Sequence, residues 1–156
     1  MVTFTEGVLV PGQISLALSR GHSPTVKPVD KTTGVGKGWV RGQIVFLNAT
    51  VDKFEVAGAG AVSEEYGVAT ADAAESDPKG HIAAEGTAVA VTLAGTVVAN
   101  NRLKPAAAGT ATGAAGGETA GMWCGDYLGH AKETDGRYIV TNGVAAEVVY
   151  MLVRRN

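Results

Sequence analysis

Side chains branched at Cβ dominate the apolar content of this chain, and that bias restricts its fold more than any motif does. There are 21 Val, 4 Ile and 15 Thr against 8 Leu. Such residues are stiff at χ1 and suit a pleated, half-buried surface better than a helix. The 22 Gly cost backbone entropy on ordering, so they fit turns, bulges and loops between short strands. The two features together predict a mainly β protein. Its 156 residues suit a single domain with one sizeable core. A hydrophobic fraction of 46% excludes disorder as a description of the whole chain.

The formal net charge is −2, from 13 basic and 15 acidic residues that are scattered rather than clustered. A nucleic-acid binder needs a basic stripe to neutralise phosphates, and a peripheral membrane protein needs a polybasic patch; neither is present. No apolar run approaches the roughly 20 residues that span a bilayer. The opening residues, Met1 to Glu6, lack the positive region of a secretory signal. Cys124 is the single cysteine, which excludes an internal disulfide and a multi-cysteine zinc site. Beside Trp123 it reads as a small buried hydrophobe.

Three stretches follow one another. Residues 1–37 read as an extended N-terminal arm and linker. They hold Val8-Leu9-Val10, then Gln13 to Ser19 with the period-two alternation of a half-buried strand. Pro24 and Pro28 keep the chain extended, and the polar residues Lys31 to Gly38 form a link. The arm either folds back as an edge strand or lies on another subunit. Residues 38–156 read as one β-rich domain. Strand signals lie in Trp39 to Asn48, Val51 to Val56, Tyr66 to Ala69, Gly86 to Val98, Tyr127 to Ala131 and Ala145 to Val153, with turns at Gly58-Ala59-Gly60 and Asp135-Gly136. Ala69 to Glu75 allows at most two helical turns before Asp77-Pro78. Residues 105–121, almost wholly Ala, Gly and Thr, read as a long loop. Short strands about ten residues apart with glycine turns suggest a barrel or sandwich. Tyr66-Gly67-Val68-Ala69 echoes Tyr127 to Ala131, an echo too short to establish a duplication.

Catalytic signatures fail on inspection. Gly34-Val35-Gly36-Lys37-Gly38 lacks the Ser or Thr that a phosphate loop places on its metal. Gly58-Ala59-Gly60-Ala61-Val62-Ser63 lacks the third glycine and the βαβ setting of a dinucleotide site. His22, His81 and His130 are far apart and have no metal-ligand spacing. Glu64-Glu65 and the carboxylates from Asp72 to Asp77 read as solvated acidic turns rather than an acid–base pair. Asn48-Ala49-Thr50 matches a glycosylation acceptor by the accident of a strand end. No catalytic residue, cofactor or metal is expected. One binding alternative is a small-molecule or carbohydrate pocket in a β-barrel, lined by Trp39, Trp123 and Tyr127.

From Gly38 onward the order of signals resembles the head-decoration (cement) proteins of tailed viruses. The passages that carry it are Gly42 to Asn48, Tyr66 to Ala69 with its Ala/acidic sequel, Gly86 to Val98 with Gly95 in mid-strand, and Tyr127 to Ala131 leading into the last β run. This resemblance is a pattern of strands and glycines over roughly 115 residues, with no catalytic signature in it. It implies a small β-barrel or β-tulip-like domain with an extended N-terminal arm, working as a non-enzymatic capsid decoration protein. The implied partners are the major capsid protein and further copies of the chain in a homotrimer, on the outer surface of a virion assembled in the host cytoplasm. Arm residues Val8, Leu9, Val10, Ile14, Leu16 and Leu18 would make the partner contact by strand addition.

Overall fold

The computed structural model describes residues 9–14, 30–99, 101–131, 138–139 and 141–154. Its regular structure is almost entirely β, as the composition predicts. Strands β1 (Asp30–Thr33), β2 (Ile44–Asn48), β3 (Lys53–Val56), β4 (Tyr66–Ala69) and β5 (Gly80–Ala83) form an antiparallel sheet in the order β1-β5-β4-β2-β3. Strands β6 (Ala88–Thr92), β7 (Arg102–Pro105), β8 (Ala111–Gly113), β9 (Gly125–Ala131), β10 (Tyr138–Ile139) and β11 (Val148–Val153) form a second. Its order is β6-β11-β9-β7-β8, with β10 paired to β9.

These two orders trace the same path, and their registers match apart from a bulge in the β9–β11 ladder between Tyr150 and Met151. Asp30 pairs Ala83 in the first lobe as Ala88 pairs Leu152 in the second. Val45 pairs Gly67 as Leu103 pairs Gly125. After its first strand, each lobe closes on itself through a parallel bridge to its third: Val35 to Phe54, and Leu93 to Ala111. Each then adds an antiparallel bridge, Trp39 to Ala73 and Val97 to Gly143. Even the supporting side chains correspond. Asp72 Oδ1 accepts the Arg41 N–H at 2.8 Å, and Asn142 Oδ1 accepts the Ala99 N–H at 2.9 Å. The protein is thus two small barrel-like lobes of one topology, and the β10 hairpin strand is an insertion in the second.

The lobes fill their interiors differently. Val35, Trp39, Val45, Phe54, Ala69 and Ile82 pack the first lobe. Their counterparts Leu93, Val97, Leu103, Ala111, Tyr127 and Met151 belong to the larger core that fills the second. Volume lost where Trp39 and Phe54 become Val97 and Ala111 is regained where Ala69 becomes Tyr127, and cores tolerate such exchange when total volume is kept. On the outer face of lobe 1, Ile44, Tyr66, Val68 and Ala83 are buried in the second lobe's core, so the two share one seam. There the Tyr66 hydroxyl lies against the carbonyls of Ala61 (3.0 Å) and Gly121 (2.5 Å). Burial raises the Tyr66 phenol above its ordinary range, so it stays neutral.

Three sequence expectations are corrected. Ala69 to Glu75 holds no helix: Ala73 exchanges both backbone hydrogen bonds with Trp39 (2.9 and 3.0 Å). Its alanines offer no stripe wide enough to hold a helix on the core, whereas the extended chain completes the closure. The span 105–121 is not a single loop, because it carries a 3-10 turn at Ala107–Gly109 and the strand β8. Ala111 supplies that strand's buried position at a point where Tyr127 already fills the interior, so a large anchor is unnecessary. The polar link Lys31 to Gly38 contains most of β1 and the bridging Val35. Lys31 lays its amine 5.5 Å from the Phe54 ring centroid and pairs with Glu65. The echo of Tyr66 with Tyr127 is out of register, since Ala69 and Tyr127 are the equivalent pair: each donates its N–H across to Gln43 O or Asn101 O. The expected turn at Asp135-Gly136 lies outside the described residues.

Gly67 and Gly125 are equivalent and keep their identity because each faces a close neighbour. A Cβ on Gly125 would press on Met151 Cγ and stand 2.5 Å from the backbone Leu152 O, whereas on Gly67 it would stand 2.7 Å from the flexible Ile82 Cδ1 and 3.0 Å from the backbone Ala83 O. Gly125→Ala is expected to destabilise the protein by about 1–3 kcal/mol and Gly67→Ala by less. Urea denaturation of both variants measures the difference.

Candidate interaction surfaces

Residues 9–14 of the N-terminal arm are built onto both lobes. Gly12 N–H donates to Ala90 O (2.7 Å), Ala90 N–H donates to Gln13 O (2.9 Å), and Ile14 bridges Val89 antiparallel, so the arm extends the β6 edge. Gly12 sits at φ +83°, and a Cβ there would lie 2.6 Å from Ala69 O in lobe 1. Only glycine fits this left-handed, close-packed point. Leu9 packs on the outer face of sheet 2 with Ala88, Ala90, Leu128, Val148 and Tyr150, and Ile14 packs on the main core. Of the two options that the sequence leaves open, residues 9–14 take the first and fold back on their own chain. Val10 stays 48% exposed. Val8, Leu16 and Leu18 lie outside the described residues.

Groups with chemical potential have structural occupations. Cys124 is fully buried, its Sγ 3.4 Å from Leu103 O and 3.7 Å from Met151 Sδ, and burial pushes its thiol far up. A thiol held protonated is neither a nucleophile nor a metal ligand. Glu65 pairs with Lys31, Asp72 caps the Arg41 N–H, and Asp77 Oδ2 accepts the Ala74 N–H at 2.7 Å. Asn48 Oδ1 accepts the Thr50 N–H at 3.0 Å at a hairpin tip. His81 is exposed, and His22 lies outside the described residues. His130 Nε2 meets Glu147 Oε2 at 2.6 Å. Among the described residues no group of three His, Cys, Asp or Glu is placed to hold a metal ion, and no helix is long and apolar enough to cross a membrane.

The three aromatic residues proposed from sequence to line one pocket are separated. Trp39 is buried inside lobe 1, donating its Nε1–H to Ala71 O at 3.1 Å. Tyr127 is buried inside lobe 2, its hydroxyl donating to Thr141 O at 2.8 Å. Trp123 is half-buried at the surface, with the Arg102 guanidinium 4.1 Å from its ring centroid. The surface instead carries two grooves. One, of about 600 Å³, runs beside the β2–β3 tip and is lined by Phe46, Leu47, Asn48, Val62, Ser63 and Gly121 among others. The other, of about 380 Å³, is lined by Asn101, Arg102, Ala114, Gly116, Glu118 and Trp123 among others. Their floors are strand ends and turns that no periodic pattern marks in the sequence.

Glu147 closes the turn before β11. Its Oε1 accepts the Val144 N–H at 2.9 Å, and this bond, followed by the one with His130, holds its carboxyl below the usual range. A carboxyl lowered by folding stabilises the protein above its unfolded value, and the contribution disappears as pH falls through the folded value. Glu147→Ala is therefore expected to flatten the loss of thermal stability between about pH 5 and pH 3, as followed by circular dichroism.

No family model matches the chain, and no curated protein matches it. Among solved structures it is similar to the N base of the head fiber gp8.5 in bacteriophage phi29. The likeness covers 83% of this chain and 97% of that one at a TM-score of 0.53 and 15% sequence identity, and what the two share is the fold.

Proposed function

We propose that this chain is a non-enzymatic structural protein of a bacteriophage head, a decoration protein that binds the major capsid protein lattice from outside and stabilises the mature shell. The observation that carries the reading is the fold shared with a phage head-fiber base over 83% of the chain. Two further features support it. The order of strands and glycines resembles that of cement proteins, and Asp72, Asp77 and Glu147 each accept a backbone N–H at a turn or connection. The same likeness favours a second reading, in which the domain is the mount of a longer appendage on the head. Both readings need a small, rigid β body repeated on a symmetric lattice, where modest contacts gain strength through effective concentration.

In the first reading the arm makes the capsid contact. Leu9 and Ile14 anchor it to sheet 2. Val8, Val10, Leu16 and Leu18 are the arm residues left to add a strand to a partner's edge. Mixing the purified protein with mature shells of its own virus and of an unrelated one tests the proposal. Co-sedimentation is expected to saturate at a fixed ratio to the major capsid protein on the cognate shell alone, with a raised shell melting temperature. Absence of binding to the cognate shell overturns it. The double change Leu16→Asp, Leu18→Asp is expected to weaken binding at least about tenfold while leaving the melting temperature of the free protein unchanged. Unaltered binding would remove the arm from the contact.

A further inference from the structure

The lobes meet inside the chain through a contact that runs in one direction. The tip of the β7–β8 hairpin reaches lobe 1, where Gly109 N–H donates to Ala57 O at 2.9 Å and Gln43 Nε2 donates to Ala108 O at 3.0 Å. A Cβ on Gly109 would stand 2.7 Å from Gln43 Cβ and 3.0 Å from Ile44 N. The socket is therefore Gln43, Ile44 and Ala57, and it accepts a left-handed residue at the end of a hairpin tip.

The matched registers locate the counterparts of both halves. Ala57 N–H donates to Ile44 O as Ala114 N–H donates to Arg102 O, and Gln43 corresponds to Asn101. The second socket is thus Asn101, Arg102 and Ala114, three residues that line the groove of about 380 Å³ beside Trp123. The second tip is 49–52, in the hairpin closed where Asn48 pairs Lys53. Asp52 ends it at φ +52° as Gly109 ends the first at φ +71°. All four residues of this tip are exposed, as is Arg102. One tip and one socket are consumed within the chain, and one of each remains uncovered among the described residues.

We propose that the tip 49–52 of one copy docks into the Asn101–Arg102–Ala114 socket of a second copy. Charge favours this occupant. Asp52 stands where Gly109 stands and Arg102 where Ile44 stands; Asp52 carries the Cβ for which the internal contact has no room, so the tip seats less deeply than its internal counterpart, with its carboxylate facing a guanidinium that no carboxylate among the described residues bridges. The contact inside the chain is made by uncharged hydrogen bonds and the one between copies is ionic, which makes the second reversible and sensitive to salt. Because tip and socket are different surfaces, each copy can give one tip and receive another, so the contact either closes as a reciprocal pair or ring or grows as a string. This association stands whether or not a capsid is the partner, and its test uses no capsid.

Sedimentation velocity of the full chain over a concentration series up to about 100 μM, at low and high salt, reads the association. Reversible oligomers that weaken with salt are expected. Asp52→Arg alone and Arg102→Asp alone should each weaken association at least about tenfold, with melting curves confirming that both variants fold. An equimolar mixture of the two variants should associate again, because each supplies the charge that the other's altered half requires. A monomer throughout the series, or oligomers indifferent to both substitutions, overturns the proposal.

Discussion

In each lobe a parallel bridge joins the tail of the first strand to the third, Val35 to Phe54 and Leu93 to Ala111, and the rest of the architecture depends on it. Strands of two to seven residues make too few ladder bonds to persist as open ribbons, and an unpaired edge invites pairing with other chains. Curling each sheet until its ends touch shortens the open edges and creates an interior at once. The second bridge, Trp39 to Ala73 or Val97 to Gly143, then draws two long connections into the wall. Side-chain caps from Asp72 and Asn142 satisfy the backbone donors that such connections would otherwise strand.

The closed lobes are not independent. Lobe 1 turns an apolar row, Ile44, Tyr66, Val68 and Ala83, toward lobe 2, and those residues share a core with Val89, Met151 and Val153. The matching positions of lobe 2 are Arg102, Cys124, Asp126 and Leu152. Its outer row is partly charged, and Asp126 pairs with Arg154 at 2.6 Å. One face pattern used twice would give a chain with a bare apolar surface at one end. Replacing part of it by charge ends the apolar seam after two lobes.

The β class, most strand positions and the turn at Gly58-Ala59-Gly60 are legible in the sequence, because β-branched alternation and glycine act locally. The duplication is illegible. Equivalent positions carry Trp39 and Val97, Phe54 and Ala111, Ala69 and Tyr127, so volume is conserved across the interior rather than residue by residue. Gly67 and Gly125 persist because backbone proximity, unlike volume, cannot be supplied by a neighbour. The tyrosine echo that does catch the eye joins positions that are not equivalent. Ala69 to Glu75, where the sequence allows at most two helical turns, holds none for a related reason: alanine permits a helix, but the backbone partners of that segment lie thirty-odd residues away in Trp39 and Arg41. For the same reason neither groove was visible, since hairpin tips and strand ends from separate parts of the chain line them.

Placing β11 between β6 and β9 has a consequence for synthesis. Lobe 1 has all five of its strands once β5 has emerged, and its sheet can close while later residues are still being added. Lobe 2 cannot, because the strand that lies between β6 and β9 is made last; until then β6 and the β7–β9 group have nothing to join them. Throughout that interval the apolar row of lobe 1 has no cover. A chain halted at that stage would hold a complete lobe 1 with its apolar row uncovered, the kind of surface from which unfinished chains aggregate.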